Sequence, residues 1–397
     1  MNNSTTLEIT NNFTLTNDLN MAGAPVAVNI LGNSTNIVSG PWTGSGSVTF
    51  SNVNFFVFNG NLSNFSGTLS FGATSANYRF NNGTNRNDNT GSALASFDLG
   101  TGANTLSNLN GAGLTYNLGA LSGGANTILA GRSSNSLIAA GSTYSIGANG
   151  ANTTFAGKIM DGLDTVKIVK VGTGTLLLNG NSTYTGTTTV SNGVLGGSGS
   201  IASPLTVAPG GTLNPGATVG TFTVSNTVAL NGTTVMELNG GAANDELVAT
   251  GTLNGGGSLV ITNIGADIAN NTVFHLFNKA VSGFTSELFP TNNPTHTSTY
   301  TWQDNLGVDG TIKLLTGGST GPNLNPTNIN VAVTGNVMTL SWPPDYLGYQ
   351  LLSNSVGLLA TNQWFQINGS TTVTQENLTI DATKTNVFFR IVYPPQP

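Results

Sequence analysis

Residues 172–195 read GTGTLLLNGNSTYTGTTTVSNGVL. The stretch carries no charge and no catalytic set of side chains, and Gly or Asn punctuates it every few positions. The whole chain shares this character. Of its 397 residues only 7% are charged, against about 25% in an ordinary soluble protein. Gly numbers 53, Asn is about as frequent, and Ser and Thr fill most of the remainder. Yet 38% of the residues are apolar. A disordered polar tract lacks such residues, because it cannot bury enough surface to offset its ordering entropy. The chain therefore folds, with a surface of neutral hydrogen-bonding groups.

The 16 acids and 10 bases leave a net charge of −6 diluted over a long chain. No basic stripe exists to hold a polyanion, so nucleic acid is not an expected partner. No apolar run reaches the ~18 residues of a spanning helix, so no membrane span is expected. With 0 cysteines, disulfides and thiolate metal sites are excluded. The opening MNNSTTLEIT has neither a basic start nor an apolar core. The expectation is a mature or trimmed start, with no export signal in this chain.

Apolar residues recur at period 2 and almost never at 3.6. Leu205 and Val207 share one face, as do Phe222 and Val224, with Thr221 and Thr223 opposite. Val228 with Leu230, and Leu259 with Ile261, repeat the pattern. Asn-Gly, Gly-Gly or Pro-Gly ends each run, and the fold class is all-β. Asn-Gly between strands also suits antiparallel hairpins, but the unit repeats too uniformly for a closed sandwich. A coil of roughly 20 to 25 residues matches a solenoid. There Asn and Gly take left-handed corners, and neutral Thr and Ser avoid stacking like charges ~4.8 Å apart. Roughly 13 to 15 coils would give a rod of about 60 to 75 Å.

Residues 168–261 resemble the autotransporter-associated β-strand repeat. Lys170, Gly172, Gly174, Thr175, Leu176, Leu178 and Gly180 carry its first part. Tyr184, Gly186, Thr188 and Val190 carry the second, and Asp245, Leu247, Ala249 and Gly251 the last, with Ala249 in place of the usual Val. Residues 1–167 and 262–315 fit more loosely. The resemblance implies a right-handed parallel β-helix in exported or surface passengers of Gram-negative-type bacteria. A passenger that secretes itself ends in a barrel of about a dozen strands, and the residues after Leu315 are too few for one, so another export route is expected.

The segment TGGSTGPNLNPTN, 316–328, reads as a linker. Residues 329–397 then offer about six short, aromatic-rich strands at hairpin spacing, a small antiparallel β-sandwich. They resemble the fibronectin-like C-terminal module of secreted bacterial repeat proteins. Met338, Leu340 and Trp342, with Phe389, Ile391 and Tyr393, are its expected core. The solenoid is assigned to 1–315.

A lyase or hydrolase would need carboxylates, or bases with a metal, along one groove. The densest charge cluster is Lys158, Asp161, Asp164, Lys167 and Lys170, which the repeat pattern already explains. His275 and His296 stand alone. Ser319 sits in a G-S-T-G linker rather than after an α/β strand, so it is no nucleophile elbow. No catalytic, cofactor or metal site is therefore expected. Two candidate surfaces remain. Trp342, Tyr346, Tyr349 and Trp364 form a candidate sugar-stacking platform for a surface polysaccharide, with a sandwich core as the competing reading. The other surface is the pair of solenoid ends, which expose unpaired backbone unless capped. Leu7, Ile9, Phe13 and Leu15 alternate from the first strand without a visible cap. Residues 273–294, with Phe274, Phe277 and Phe284, read as a cap or an interface. Complementary ends would stack copies head to tail into a fibre. The sequence thus points to an extracellular or cell-surface bacterial structural protein that self-assembles, or else to a monomeric adhesin.

Overall fold

The computed structural model describes residues 5–10, 14–15, 18–21, 26–31, 36–51, 54–81, 90–109, 113–133, 141–240, 243–265, 267–291, 299–318, 327–343, 346–358, 363–384 and 386–393. Two compact units are present: 1–265 with 273–290 and 302–313, and 266–272 with 291–301 and 314–397.

The first unit is a parallel β-solenoid. Twelve strands stack on its longest face, from Thr5–Thr10 and Val26–Leu31 through Val166–Lys170 and Thr188–Val190 to Leu253–Gly255. Neighbouring strands along this face pair in parallel. Among the described residues twelve is fewer than the 13 to 15 coils expected from the sequence. A seven-stranded face ends at Lys158–Met160, and a four-stranded one begins at Asn181–Ser182. An eight-stranded sheet starting at Thr153–Phe155 supplies the third side of the later coils. Along the longest face coil length runs from 17 residues, where Thr188 pairs with Leu205, to 28, where Thr115 pairs with Thr143. Ladder pairing fixes the strands, so the corner segments absorb this variation.

Register explains the composition. One column of the long face runs Tyr116, Tyr144, Ile168, Thr188, Leu205, Val228 and Leu253, and all seven side chains are buried. The next position outward runs Asn117, Ser145, Val169, Thr189, Thr206, Ala229 and Asn254, a ladder without a charge. Like charges at that spacing would repel, which is why the outer faces are neutral. The buried column changes character along the stack. From Trp42 to Tyr144 the core is aromatic: Phe50, Phe56, Phe58, Phe71, Tyr78, Phe80, Phe97 and Tyr116 are all fully buried. Phe71 and Tyr78 stack at 3.8 Å. Later coils, which include the 17-residue one, fill their interior mainly with Leu, Val and Ile.

At residues 330–392 two antiparallel three-stranded sheets form. One orders Asn330–Thr334, Val337–Ser341 and Gln375–Thr379; the other orders Phe365–Gln366, Gln350–Asn354 and Phe388–Val392. Leu340, Trp342, Tyr346, Tyr349 and Leu351 are the buried core between them, with Met338, Phe389, Ile391 and Tyr393 packed against it. The six residues expected as core from alternation all pack there.

Candidate functional site

The two ends of the coil stack differ. At the first, Thr5–Thr10, Thr14–Leu15 and Leu19–Met21 are each the outermost strand of their sheets among the described residues. The side chains of Leu7, Ile9 and Leu15 lie outside the described part, as does all of Phe13. The other end is capped. Leu247 N–H donates to the Leu276 carbonyl at 2.9 Å, and Leu247 forms a parallel bridge with Phe277. The Asn278 amide then imitates a peptide unit: Oδ1 accepts the Ala249 N–H at 3.0 Å while Nδ2 donates to the Ala249 carbonyl at 3.1 Å. Lys279 Nζ donates to the Thr250 and Gly251 carbonyls. The edge of Glu246–Ala249 is thereby satisfied without another full strand, while Ser286–Leu288 remains the last strand of its own sheet among the described residues.

This cap corrects part of the expected interface. Phe274 and Phe277 are fully buried, and Phe284 is half-buried with its ring 6.1 Å from Phe277. The rings of Phe274 and Phe277 close the apolar interior of the last coil, whereas Phe284 keeps part of its surface exposed. The segment is also less irregular than its sequence, since Ser286–Leu288 pairs in parallel with Ser258–Asn263. All three residues of Ser286–Leu288 are exposed.

The charge cluster does not converge. Lys167 points outward, while Lys170 lies in an inward column between Ile146 and Val190 and is 1% exposed. Its ammonium donates to the carbonyls of Val171 at 2.7 Å and of Gly172 and Asn192 at 3.2 Å. Burial pushes its pKa down to about 8. The corner is tight: a Cβ on Gly172, at φ +67°, would stand 2.0 Å from the Gly147 carbonyl oxygen. Asp164 accepts the Arg132 N–H and the Ser142 hydroxyl, both at 2.6 Å. Asp161 accepts from the backbone of Val166 and from both the N–H and hydroxyl of Thr185. These carboxylates hold successive coils in register. Asp245 was not singled out for this role, yet it is fully buried and bridges two backbone donors, Gly220 N–H at 3.0 Å and Glu237 N–H at 2.8 Å. Burial raises its carboxyl to about 7. His275 is exposed beside this region; His296 and Ser319 lie outside the described residues.

The aromatic platform is not assembled on a surface. Trp342, Tyr346 and Tyr349 are 4–5% exposed, and Tyr349 packs at 5.4 Å against Tyr393. Trp364 is half-buried, with the Arg390 guanidinium 4.3 Å from its ring centre. Three of the four rings are thus sandwich core, clustered with Leu340 and Leu351.

The geometry of Lys170, Gly172, Tyr184 and Gly193 is one complete coil built on a fixed motif. Residues 168–196 match the passenger-associated-transport-repeat. The motif residues account for the coil: Lys170 plugs the first corner, and Leu176 and Leu178 fill the core. Tyr184 closes the return through its hydroxyl, 2.5 Å from Thr188 Oγ1. Comparison with curated proteins gave no match. Repeat and solenoid together describe a passenger-like structural or surface protein, and a passenger repeat supports an extracellular or surface location. No helix among the described residues is long and apolar enough to cross a membrane.

Proposed function

We propose that this chain is a non-catalytic structural subunit of a bacterial surface layer or filament, joined to further copies through the open end of its coil stack. The observation that carries this reading is the asymmetry of the ends. At one end Asn278 and Lys279 cover the edge of Glu246–Ala249 but not that of Ser286–Leu288. At the other, Thr5–Thr10 leaves its outer edge unpaired among the described residues. The exposed strand Ser286–Leu288 is the complementary edge of the next copy. Such a contact is heterologous and does not close, so it propagates. A scaffold role also fits the charges, because Lys170, Asp161, Asp164 and Asp245 are committed to backbone groups.

Electron microscopy of the purified chain in vitreous ice tests this. Twelve stacked strands span about 53 Å at ~4.8 Å per spacing. Filaments with an axial repeat on the order of 60 Å are the expected result. Dispersed particles at micromolar concentration would overturn the filament reading. Glycan binding as the main activity has less support, since Trp342, Tyr346 and Tyr349 are interior.

A further inference from the structure

Asn-Gly pairs end many strands of this chain, and several are held in unreactive poses. Asn59 Oδ1 takes the Asn81 amide at 2.6 Å, and Asn179 Oδ1 takes the Ser198 N–H at 3.0 Å. Asn149 Oδ1 accepts from Ala151, while Gly150 N–H donates to the Gly147 carbonyl. Asn192 is different. It is exposed at the corner after Thr188–Val190, and its Oδ1 accepts the N–H of the very next residue, Gly193, at 2.7 Å. That contact closes a small ring and holds the side-chain carbonyl group next to the Gly193 nitrogen. Gly193 adds no side chain to obstruct the approach.

A second feature acts on the same peptide unit. Lys170 Nζ donates to the Asn192 carbonyl oxygen at 3.2 Å. A charge-assisted bond to that oxygen draws electron density from the amide nitrogen of Gly193. The Gly193 N–H becomes more acidic, and its deprotonated nitrogen is the nucleophile that attacks Cγ. Asn226 supplies an internal contrast. Its Oδ1 accepts the following Thr227 N–H at 2.9 Å, but its carbonyl takes the neutral Gly251 N–H, and Thr227 is β-branched.

We propose that Asn192–Gly193 is a self-modification site, at which the folded chain converts Asn192 to aspartate and isoaspartate with Lys170 as the activating group. The Gly193 nitrogen loses its proton and forms a bond to Asn192 Cγ. The Cγ–Nδ2 bond breaks, and Nδ2 leaves as ammonia carrying the proton. Water then opens the five-membered imide at either carbonyl. Aspartate would place a carboxylate beside the buried Lys170 ammonium; isoaspartate would lengthen the backbone at the corner by one methylene.

The test is peptide mapping of the intact folded chain after incubation at neutral pH, following the amide-to-acid mass gain at Asn192, Asn179 and Asn226, with isoaspartate separated from aspartate. Pre-aligned reacting groups are worth at least about tenfold in rate. Asn192 is therefore expected to convert at least about tenfold faster than Asn179 or Asn226 when folded, and to lose its lead over Asn179 in urea. Equal folded rates at Asn192 and Asn179, or an unchanged lead in urea, would overturn the proposal. In the Lys170→Met variant only the Asn192 rate should fall; an unaltered rate removes the lysine from the mechanism. If that variant does not fold, the folded-state comparison of Asn192 with Asn179, both followed by glycine, decides.

Discussion

Raising the pH should strengthen this fold through Lys170. Its side chain is 1% exposed and its pKa falls from the ordinary 10.5 to about 8 because burial penalises the charged form. Between those two values the unfolded chain binds a proton that the folded chain has given up. Unfolding therefore takes up a proton, and stability rises with pH across this window. The gap corresponds to about 3 kcal/mol at 1.36 kcal/mol per pKa unit. Hydrogen bonds to the Val171, Gly172 and Asn192 carbonyls favour the charged form and act against this shift, so about 3 kcal/mol is the largest effect expected. The assay is urea unfolding of the wild type and of Lys170→Met, measured from pH 7 to pH 11. Met keeps the apolar stem and has nothing to titrate, and other lysines cancel in the difference. The wild type should gain on the variant by up to about 3 kcal/mol between pH 8 and pH 10.5, and little below pH 8. A flat difference, or one that moves in favour of the variant as pH rises, would refute the reasoning.

Asp245 titrates with the opposite consequence. Its folded pKa of about 7 exceeds the ordinary 3.8, so the folded chain holds the extra proton and stability falls as pH rises between those values; Asp245→Asn should abolish that slope in urea midpoints. Asn278→Ala removes both bonds to Ala249, which at about 1 kcal/mol each should speed hydrogen exchange at Ala249 while leaving residues near Tyr144 protected. Gly180→Ala would set a Cβ 1.9 Å from the Gly157 carbonyl oxygen, a backbone clash that cannot relax locally. Circular dichroism should show loss of the β signal or a much lower melting temperature, and a wild-type melting curve would contradict the register.

Alternation carried most of the architecture. Val166, Ile168 and Lys170 occupy alternate positions of one strand, and all three are buried. The same parity that places Ile168 inside therefore places Lys170 inside too. By charge density alone it groups with Lys158, Asp161, Asp164 and Lys167 as one cluster, the lead-in to the repeat. What parity cannot supply is the set of carbonyls that makes an inward ammonium tolerable. The Asn278 cap was unreadable for a related reason. Nothing local distinguishes an Asn that imitates a peptide unit from the many Asn residues at corners, since its partner Ala249 lies a full coil away. In the sandwich, Trp342 shares its face with Met338 and Leu340, and alternation alone favoured the interior for it.

The shift from an aromatic to an aliphatic interior has a spectroscopic consequence. Trp42 sits 5.9 Å from both Phe58 and Phe65, and Tyr78, Tyr116 and Tyr144 follow it up the same core. Between Tyr144 and Phe274, by contrast, the buried aromatic rings are Phe155, Tyr184 and Phe222. In a chain whose Trp302, Trp342 and Trp364 are replaced, tyrosine-to-tryptophan energy transfer onto Trp42 therefore reports on the first half of the stack. Far-ultraviolet dichroism weighs both halves alike. Comparing the two signals during unfolding would reveal from which end the coils peel away, without any label added to the chain.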